Sequence, residues 1–197
     1  MRKVVVTGGP GAGKTALLET VRHHFCEHVA VLPEAASLLY RGGFPRDSDP
    51  STQRAAQRAI YRVQRELEEI AEAHEGPHLV LCDRGTLDGI AYWPDSPDGW
   101  FRDLGTSLEA EYARYHAVIH LRTPAKRNGY NRQNPLRIES AKQAAAIDKR
   151  IAEIWSKHPR RFVVEAQDDF VQKVKRGIEI IHQLAPSCAH HRAEATL

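Results

Sequence analysis

Lys3-Val4-Val5-Val6-Thr7-Gly8-Gly9-Pro10-Gly11-Ala12-Gly13-Lys14-Thr15 is the stretch that decides how this chain folds. The β-branched run from Lys3 to Thr7 predicts a strand, and the glycines that follow predict a tight turn. Ala16, Leu17, Val21 and His24 then recur at helical spacing. Within this strand, turn and helix, Gly8 to Thr15 satisfies G-x-x-x-x-G-K-[ST], the Walker A pattern of a phosphate-binding loop. Glycines let backbone N–H groups converge on phosphate oxygens without Cβ clashes, and the helix adds its positive N-terminal end. Gly8, Gly9, Pro10, Gly11, Ala12, Gly13, Lys14, Thr15 and Ala16 are therefore the expected cradle for ATP or GTP. Lys14 is expected at the β and γ phosphates, and Thr15 on Mg²⁺. The bland alternative is a Gly-rich turn that merely closes a strand-helix unit.

Working outward, short apolar runs at Val29–Leu32, Leu79–Cys82, Ala117–Leu121 and Arg161–Val164 predict four more strands, of the kind buried on both faces. Ala56, Ile60, Val63, Leu67 and Ile70 predict an amphipathic helix over Ser51 to His74, with Ser51 as its N-cap and Gly76 as its stop. Helical patterns flank the last strand: Ala144, Ile147, Ile151 and Ile154 before it, Phe170, Val174, Ile178 and Ile181 after it. Strands alternating with helices imply an α/β three-layer sandwich, here a five-stranded parallel sheet in the expected order 2-3-1-4-5. The expected organisation is one domain over 1–185, with a disordered polar tail over 186–197.

Composition agrees with that reading. At 197 residues, with 42% hydrophobic and 27% charged, the chain can bury a full core and falls outside the collagenous, disordered and disulfide-scaffold classes. Cys26, Cys82 and Cys188 lack C-x-x-C spacing, which argues for a reducing compartment and against zinc. The 28 Lys and Arg nearly balance 25 Asp and Glu, so no nucleic-acid partner follows. No membrane span and no signal segment are expected, and the expected location is cytoplasmic. The eleven histidines are dispersed, and the adjacent pair His23-His24 cannot chelate from one helix face. A homodimer is left open.

The third strand ends as Leu79-Val80-Leu81-Cys82-Asp83-Arg84, an apolar run and then a carboxylate suited to Mg²⁺. AAA-type ATPases follow this Asp with a catalytic Glu, and Ras-type GTPases carry NKxD. This chain has Arg84 and no NKxD, and the Asp-Arg pair resembles deoxynucleoside kinases and thymidylate kinases. The second strand runs into Pro33-Glu34, which in the nucleoside kinase family supplies the catalytic base; that resemblance implies Glu34 as the base. Otherwise Glu34 is a helix-terminal carboxylate favoured by the dipole.

His120-Leu121-Arg122-Thr123-Pro124 is similar to the strand-four motif of nucleoside kinases that precedes an Arg-rich lid. The resemblance implies a lid over about 124–139, with Arg132 and Arg137 closing on the transferring phosphoryl group and Arg127 a weaker choice. A solvated basic loop is the alternative. The run from Asn134 to Glu139 departs from the nucleoside kinase lid. It is more similar to a group of AAA-like ATP/GTP-binding proteins related to ribosylnicotinamide kinase domains. Glu165 to Phe170 resembles the loop that touches the base in these kinases, although Asp168 reads equally as a helix cap. Trp93, Trp100 and Phe101 flank an acidic, Pro-rich loop; either that loop walls an acceptor pocket, with Asp88 orienting a hydroxyl, or the aromatics simply hold it down. Tyr40, Phe44 and Tyr61 are the aromatics offered beyond Glu34.

The resemblance as a whole implies an Mg²⁺-dependent kinase that moves the γ-phosphoryl group to a small hydroxyl-bearing acceptor such as a nucleoside or nucleotide. Lys14, Glu34, Asp83, Arg84, Arg132 and Arg137 would be catalytic, and Thr15 and Asp83 would hold the metal. The competing function is an NTP-binding regulatory switch, slow in hydrolysis, that recognises a phosphorylated lipid or protein.

Overall fold

The computed structural model describes residues 1–74, 76–123, 140–166 and 169–185. Five strands, β1 (Arg2–Thr7), β2 (Val29–Leu32), β3 (Leu79–Asp83), β4 (Ala117–Leu121) and β5 (Arg161–Val164), form one parallel sheet in the order β2-β3-β1-β4-β5. Every expected strand is present, with β1 and β3 each one residue longer than read from the sequence. Helices α1 (Lys14–His24), α2 (Ala35–Arg41), α3 (Pro50–Ala73), α4 (Pro97–Leu104), α5 (Leu108–Ala113), α6 (Ala141–Ile154) and α7 (Phe170–Leu184) surround it.

The pleat divides the core in two. Val4 and Val6 of β1 point to one face, where α1 and α7 cover them with Leu17, Leu18, Ile180 and Ile181. Val5 points to the other, against Tyr61, Trp100, Ile151 and Trp155. All three valines are fully buried, each contributing on the order of 1.5–3 kcal/mol of apolar burial. Parallel register brings the C-terminal ends of the strands to one edge: Val6 pairs with Asp83 and Thr7 with His120. In sheets of this kind that edge, beside the strand where the order reverses, is where ligands bind.

Local chemistry shifts two boundaries. Helix α3 begins at Pro50 rather than after Ser51, because the Asp49 carboxylate accepts from Thr52 N at 3.0 Å and Pro50 fits the first helical position. It ends at Ala73, before Gly76. The expected apolar face of α3 is also displaced. Ile70 is 54% exposed, and beside Ala56, which is buried as expected, the deeply buried positions are the polar Gln57, Tyr61, Gln64 and Glu68. Those polar groups are buried because each faces a cavity or a charged partner rather than oil.

The acidic loop after β3 is more regular than expected: a 3₁₀ helix spans Thr86–Tyr92, and α4 starts at Ser96-Pro97 and buries Trp100 completely. The expected lid over 124–139, with Arg127, Arg132 and Arg137, the tail over 186–197, and Asp168 lie outside the described residues. The N-cap of α7 is Asp169, whose side chain accepts from Val171 N.

Candidate active site

The phosphate loop sits where β1 meets α1. A Cβ on Gly8 would stand 2.1 Å from Leu121 O, and Gly8 has φ 140°, so only glycine lets the loop press onto β4. At Gly9 an added Cβ would meet Thr123 Oγ1 at 2.6 Å and the Asp148 Cβ at 2.8 Å. Gly13 caps α1 without a side-chain hydrogen bond, and the first turn holds no acid, which leaves its amide N–H groups and positive end for an anion. Lys14 is 8% exposed and donates from Nζ to Gly8 O at 3.0 Å and Gly9 O at 3.3 Å. Burial, helped by nearby Arg84, lowers its pKa to about 8 against the pull of Asp83 and Glu34.

Two groups that sequence reading passed over hold this loop in place. Asp148 of α6 accepts from Gly9 N at 3.0 Å and from His120 Nε2 at 2.9 Å, with Arg122 Nε 3.3 Å from its other oxygen. Lys173 of α7 donates to Ala12 O at 2.7 Å and also to Arg122 O. The available signal for Asp148 was a carboxylate set within the apolar stripe Ala144, Ile147, Ile151 and Ile154.

Next to the loop lies a compact charge cluster. Arg84 has φ 75°, an uncommon conformation for a residue with a side chain, and its own N–H is tied to Val6 O at 3.1 Å. The guanidinium is thereby turned onto Glu34, with Nε to Oε1 at 2.5 Å, and reaches Gly8 O at 3.3 Å. Glu34 is the N-cap of α2, yet its carboxylate makes no capping bond; it takes Arg84 and the Ser37 hydroxyl instead. Burial pushes Glu34 up, but Arg84, Lys14 and Ser37 outweigh it and leave its pKa at about 2. Asp88, 2% exposed, carries donors on both oxygens: Trp155 Nε1 at 2.7 Å on one, Thr7 Oγ1 at 2.5 Å and Arg84 Nη1 at 3.4 Å on the other. It thus props Arg84, rather than standing free for a hydroxyl.

Asp83 is different. Its Oδ1 is buried and has no hydrogen-bond partner among the described residues. Burial first, then Glu34 and Asp88, raise its pKa to about 6 against Lys14 and Arg84. An orphaned carboxylate oxygen on the same cavity as the Thr15 hydroxyl fits Mg²⁺, which takes few protein ligands and leaves the rest to water and phosphate. Among the described residues no cluster of three or more His, Cys, Asp or Glu could hold a metal by itself.

Lys14, Thr15, Glu34, Asp83, Arg84 and Asp88 all line one cavity of about 260 Å³. It runs from the phosphate loop to α3, where Gln57, Tyr61 and Gln64 form the wall, and to the irregular segment after α2, where Arg46 and Asp47 stand at its edge. Tyr40 lines it as well; Phe44 does not. Gln57 and Gln64 were missed from the sequence, although polar residues at 57, 64 and 68 around Tyr61 keep helical spacing. Trp93 and Trp100 are core residues.

Among known proteins, a thymidylate kinase of Halalkalibacterium halodurans is 24% identical over 202 residues, covering 91% of this chain and 95% of that protein. The fold matches the deoxyadenosine kinase of M. mycoides solved with bound dATP, at TM-score 0.57 and 14% identity over 92% of this chain and all of that one. It also matches the NadR protein in complex with NAD and AMP-PNP, at TM-score 0.66 and 15% identity, over 92% of this chain and 49% of that one. These likenesses establish a P-loop nucleotide-binding, kinase-like fold. Among the described residues no helix is long and apolar enough to cross a membrane. The family model for the AAA domain matches residues 3–173, and the chain belongs to that family.

Proposed function

We propose that this protein is an Mg²⁺-dependent kinase that transfers the γ-phosphoryl group of ATP or GTP to a hydroxyl of a small acceptor. One observation carries the reading: a single small cavity joins the phosphate-loop residues Lys14 and Thr15 to Glu34 and Arg84, and continues beyond them to a wall on α3. A protein that only bound and slowly hydrolysed nucleotide has no use for that extension. Kinase names among the similar proteins support the same reading.

In this scheme the triphosphate rests on Gly8 to Thr15, with Lys14 released from Gly8 O and Gly9 O to meet the β and γ phosphates. Thr15 and Asp83 hold Mg²⁺, whose charge offsets that of the phosphates. The acceptor hydroxyl approaches Glu34, which is ionised throughout the neutral range. As the acceptor oxygen bonds the γ phosphorus and the bridge to the β phosphate breaks, the hydroxyl proton passes to Glu34 Oε and on to water. Glu34 is a weak base, which suffices where little charge builds on the attacking oxygen. Arg84, fixed by Asp88 and Glu34, stabilises the moving phosphoryl group. Arg132 and Arg137 are assigned to lid closure on their sequence positions. A cytoplasmic location suits nucleotide substrates and the buried thiol of Cys82.

The test is diphosphate release from the purified protein with Mg²⁺ and pooled small hydroxyl compounds, with Lys14→Ala as blank. Release that rises with an acceptor and vanishes in the blank supports the kinase; release indifferent to every pool overturns it in favour of the switch.

A further inference from the structure

Helix α6 reaches the site from behind with two side chains. Asp148, near its middle, accepts from Gly9 N at 3.0 Å. Trp155, at its C-terminal end, keeps its backbone N–H on Ile151 O at 3.1 Å, and its indole Nε1–H donates to Asp88 Oδ1 at 2.7 Å. The spacing from 148 to 155 is close to two helical turns, so both side chains leave the same face. Ile151 lies between them, fully buried like Trp155 itself. Arg150 ties the same helix to the 3₁₀ segment, donating to Ala91 O at 3.1 Å. One rigid element therefore props the phosphate loop at one point and the turn after β3 at another.

The indole meets that turn in two ways. Its N–H takes one oxygen of Asp88, whose other oxygen accepts from Thr7 Oγ1 at 2.5 Å and faces Arg84 Nη1 at 3.4 Å. Held on both oxygens, the carboxylate is fixed in rotation, and so is the side of it that Arg84 meets. The edge of the indole also presses on Gly85, where an added Cβ would stand 2.7 Å from Trp155 Cζ2 and 2.8 Å from Val5 Cγ2. Gly85 follows directly on Arg84, the residue held at φ 75°. The ring is itself fixed: Tyr112 stacks on it at 5.7 Å between centres, and Tyr115 and His158 meet it edge-on at 5.7 Å and 6.0 Å. A buried tryptophan needs only some acceptor for its N–H. Here it takes a carboxylate, the stronger kind of partner and the one that faces Arg84.

We propose that Trp155 is a positioning residue for phosphoryl transfer: through Asp88 and Gly85 it holds the Arg84 guanidinium on the path of the moving phosphoryl group. This rests on the role given to Arg84 under the kinase reading. Support of this kind matters because a displacement of about 1 Å at a reacting centre costs up to roughly 10²-fold in rate.

The test follows diphosphate release from ATP with the full chain and Mg²⁺, first without acceptor, where water receives the phosphoryl group, and then with the pooled small hydroxyl compounds. Wild type, Trp155→Phe, Arg84→Gln and the double variant are compared. Trp155→Phe removes the N–H and keeps an aromatic ring; it should lower kcat about tenfold with the KM for ATP unchanged. Added to Arg84→Gln it should lower kcat no further, because its effect passes through the guanidinium. Equal kcat in wild type and Trp155→Phe, a loss confined to KM, or a full tenfold loss on top of Arg84→Gln would each reduce Trp155 to packing and overturn the proposal. Release that no acceptor raises overturns the kinase reading alone, since the same comparison without acceptor still decides Trp155. If Trp155→Phe fails to fold, as judged by fluorescent-ATP binding, benzothienylalanine at position 155 keeps the bicyclic ring, removes only the N–H, and is held to the same outcomes.

Discussion

Arg84 Nε donates to Glu34 Oε1 at 2.5 Å, across the gap between the ends of β3 and β2, from a backbone held at φ 75°. The pair places a carboxylate and a guanidinium side by side at the mouth of the phosphate loop. It also keeps that carboxylate ionised.

Glu34→Gln should therefore lower turnover about 10²-fold while sparing nucleotide affinity, as judged by steady-state kinetics and fluorescent-ATP binding. Acid stability checks the same ion pair. The folded-state pKa of about 2 lies below the ordinary 4.5, so the stabilisation is full above pH 4.5 and is lost as pH falls toward 2. Wild type should lose more stability than Glu34→Gln over that window, measured by urea unfolding at stepped pH.

Metal and nucleotide affinities should report opposite titrations. Asp83 takes a proton as pH falls below about 6, so Mg²⁺ affinity in the presence of a non-hydrolysable nucleotide should weaken there, and Asp83→Asn should abolish the dependence. Lys14 loses its charge above about pH 8 in the free protein, while bound phosphates favour the charged form. Nucleotide binding above that pH should consequently take up protons, measurable by calorimetry in buffers of different ionisation enthalpy.

Asp148 is a positioning residue, acting through Gly9. Asp148→Ala removes the acceptor for the Gly9 N–H and for His120, so nucleotide affinity should fall about tenfold, with β1, β4 and their register intact. The amide protection of Gly9 in hydrogen exchange should fall with it. Unchanged affinity with unchanged exchange would show that the loop holds its shape unaided.

Glu68 is the stability test. Its side chain has no exposure and takes Lys3, Gln64, Arg114 and Tyr115 as donors. Glu68→Ala leaves Lys3 with Glu72 and Arg114 with Glu111, removes the buried acceptor of Gln64 and Tyr115, and should cost about 3 kcal/mol, read from urea unfolding.

Most of the frame was legible because parallel strands buried on both faces appear as short apolar runs, and Gly8 to Thr15 names its own neighbours. The same logic failed on α3. There Ala56, Ile60, Val63, Leu67 and Ile70 read as the core face; Ala56 is buried, but Ile60, Val63 and Leu67 are only half-buried and Ile70 is exposed, because a helix lining a polar cavity turns Gln57, Gln64 and Glu68 inward. Period alone cannot separate a polar residue in solvent from one awaiting a ligand. Glu34, Asp83 and Arg84 could be picked out at strand ends, but the left-handed turn that aims Arg84 could not. Asp148 was hidden for a related reason: its partner Gly9 lies 139 positions away.

The most direct measurement follows the label from γ-labelled ATP in the presence of Mg²⁺ and the pooled small hydroxyl compounds. The account predicts label on an acceptor hydroxyl in step with diphosphate formed, absent with Lys14→Ala. Label appearing only as inorganic phosphate, at a rate no acceptor changes, would contradict it.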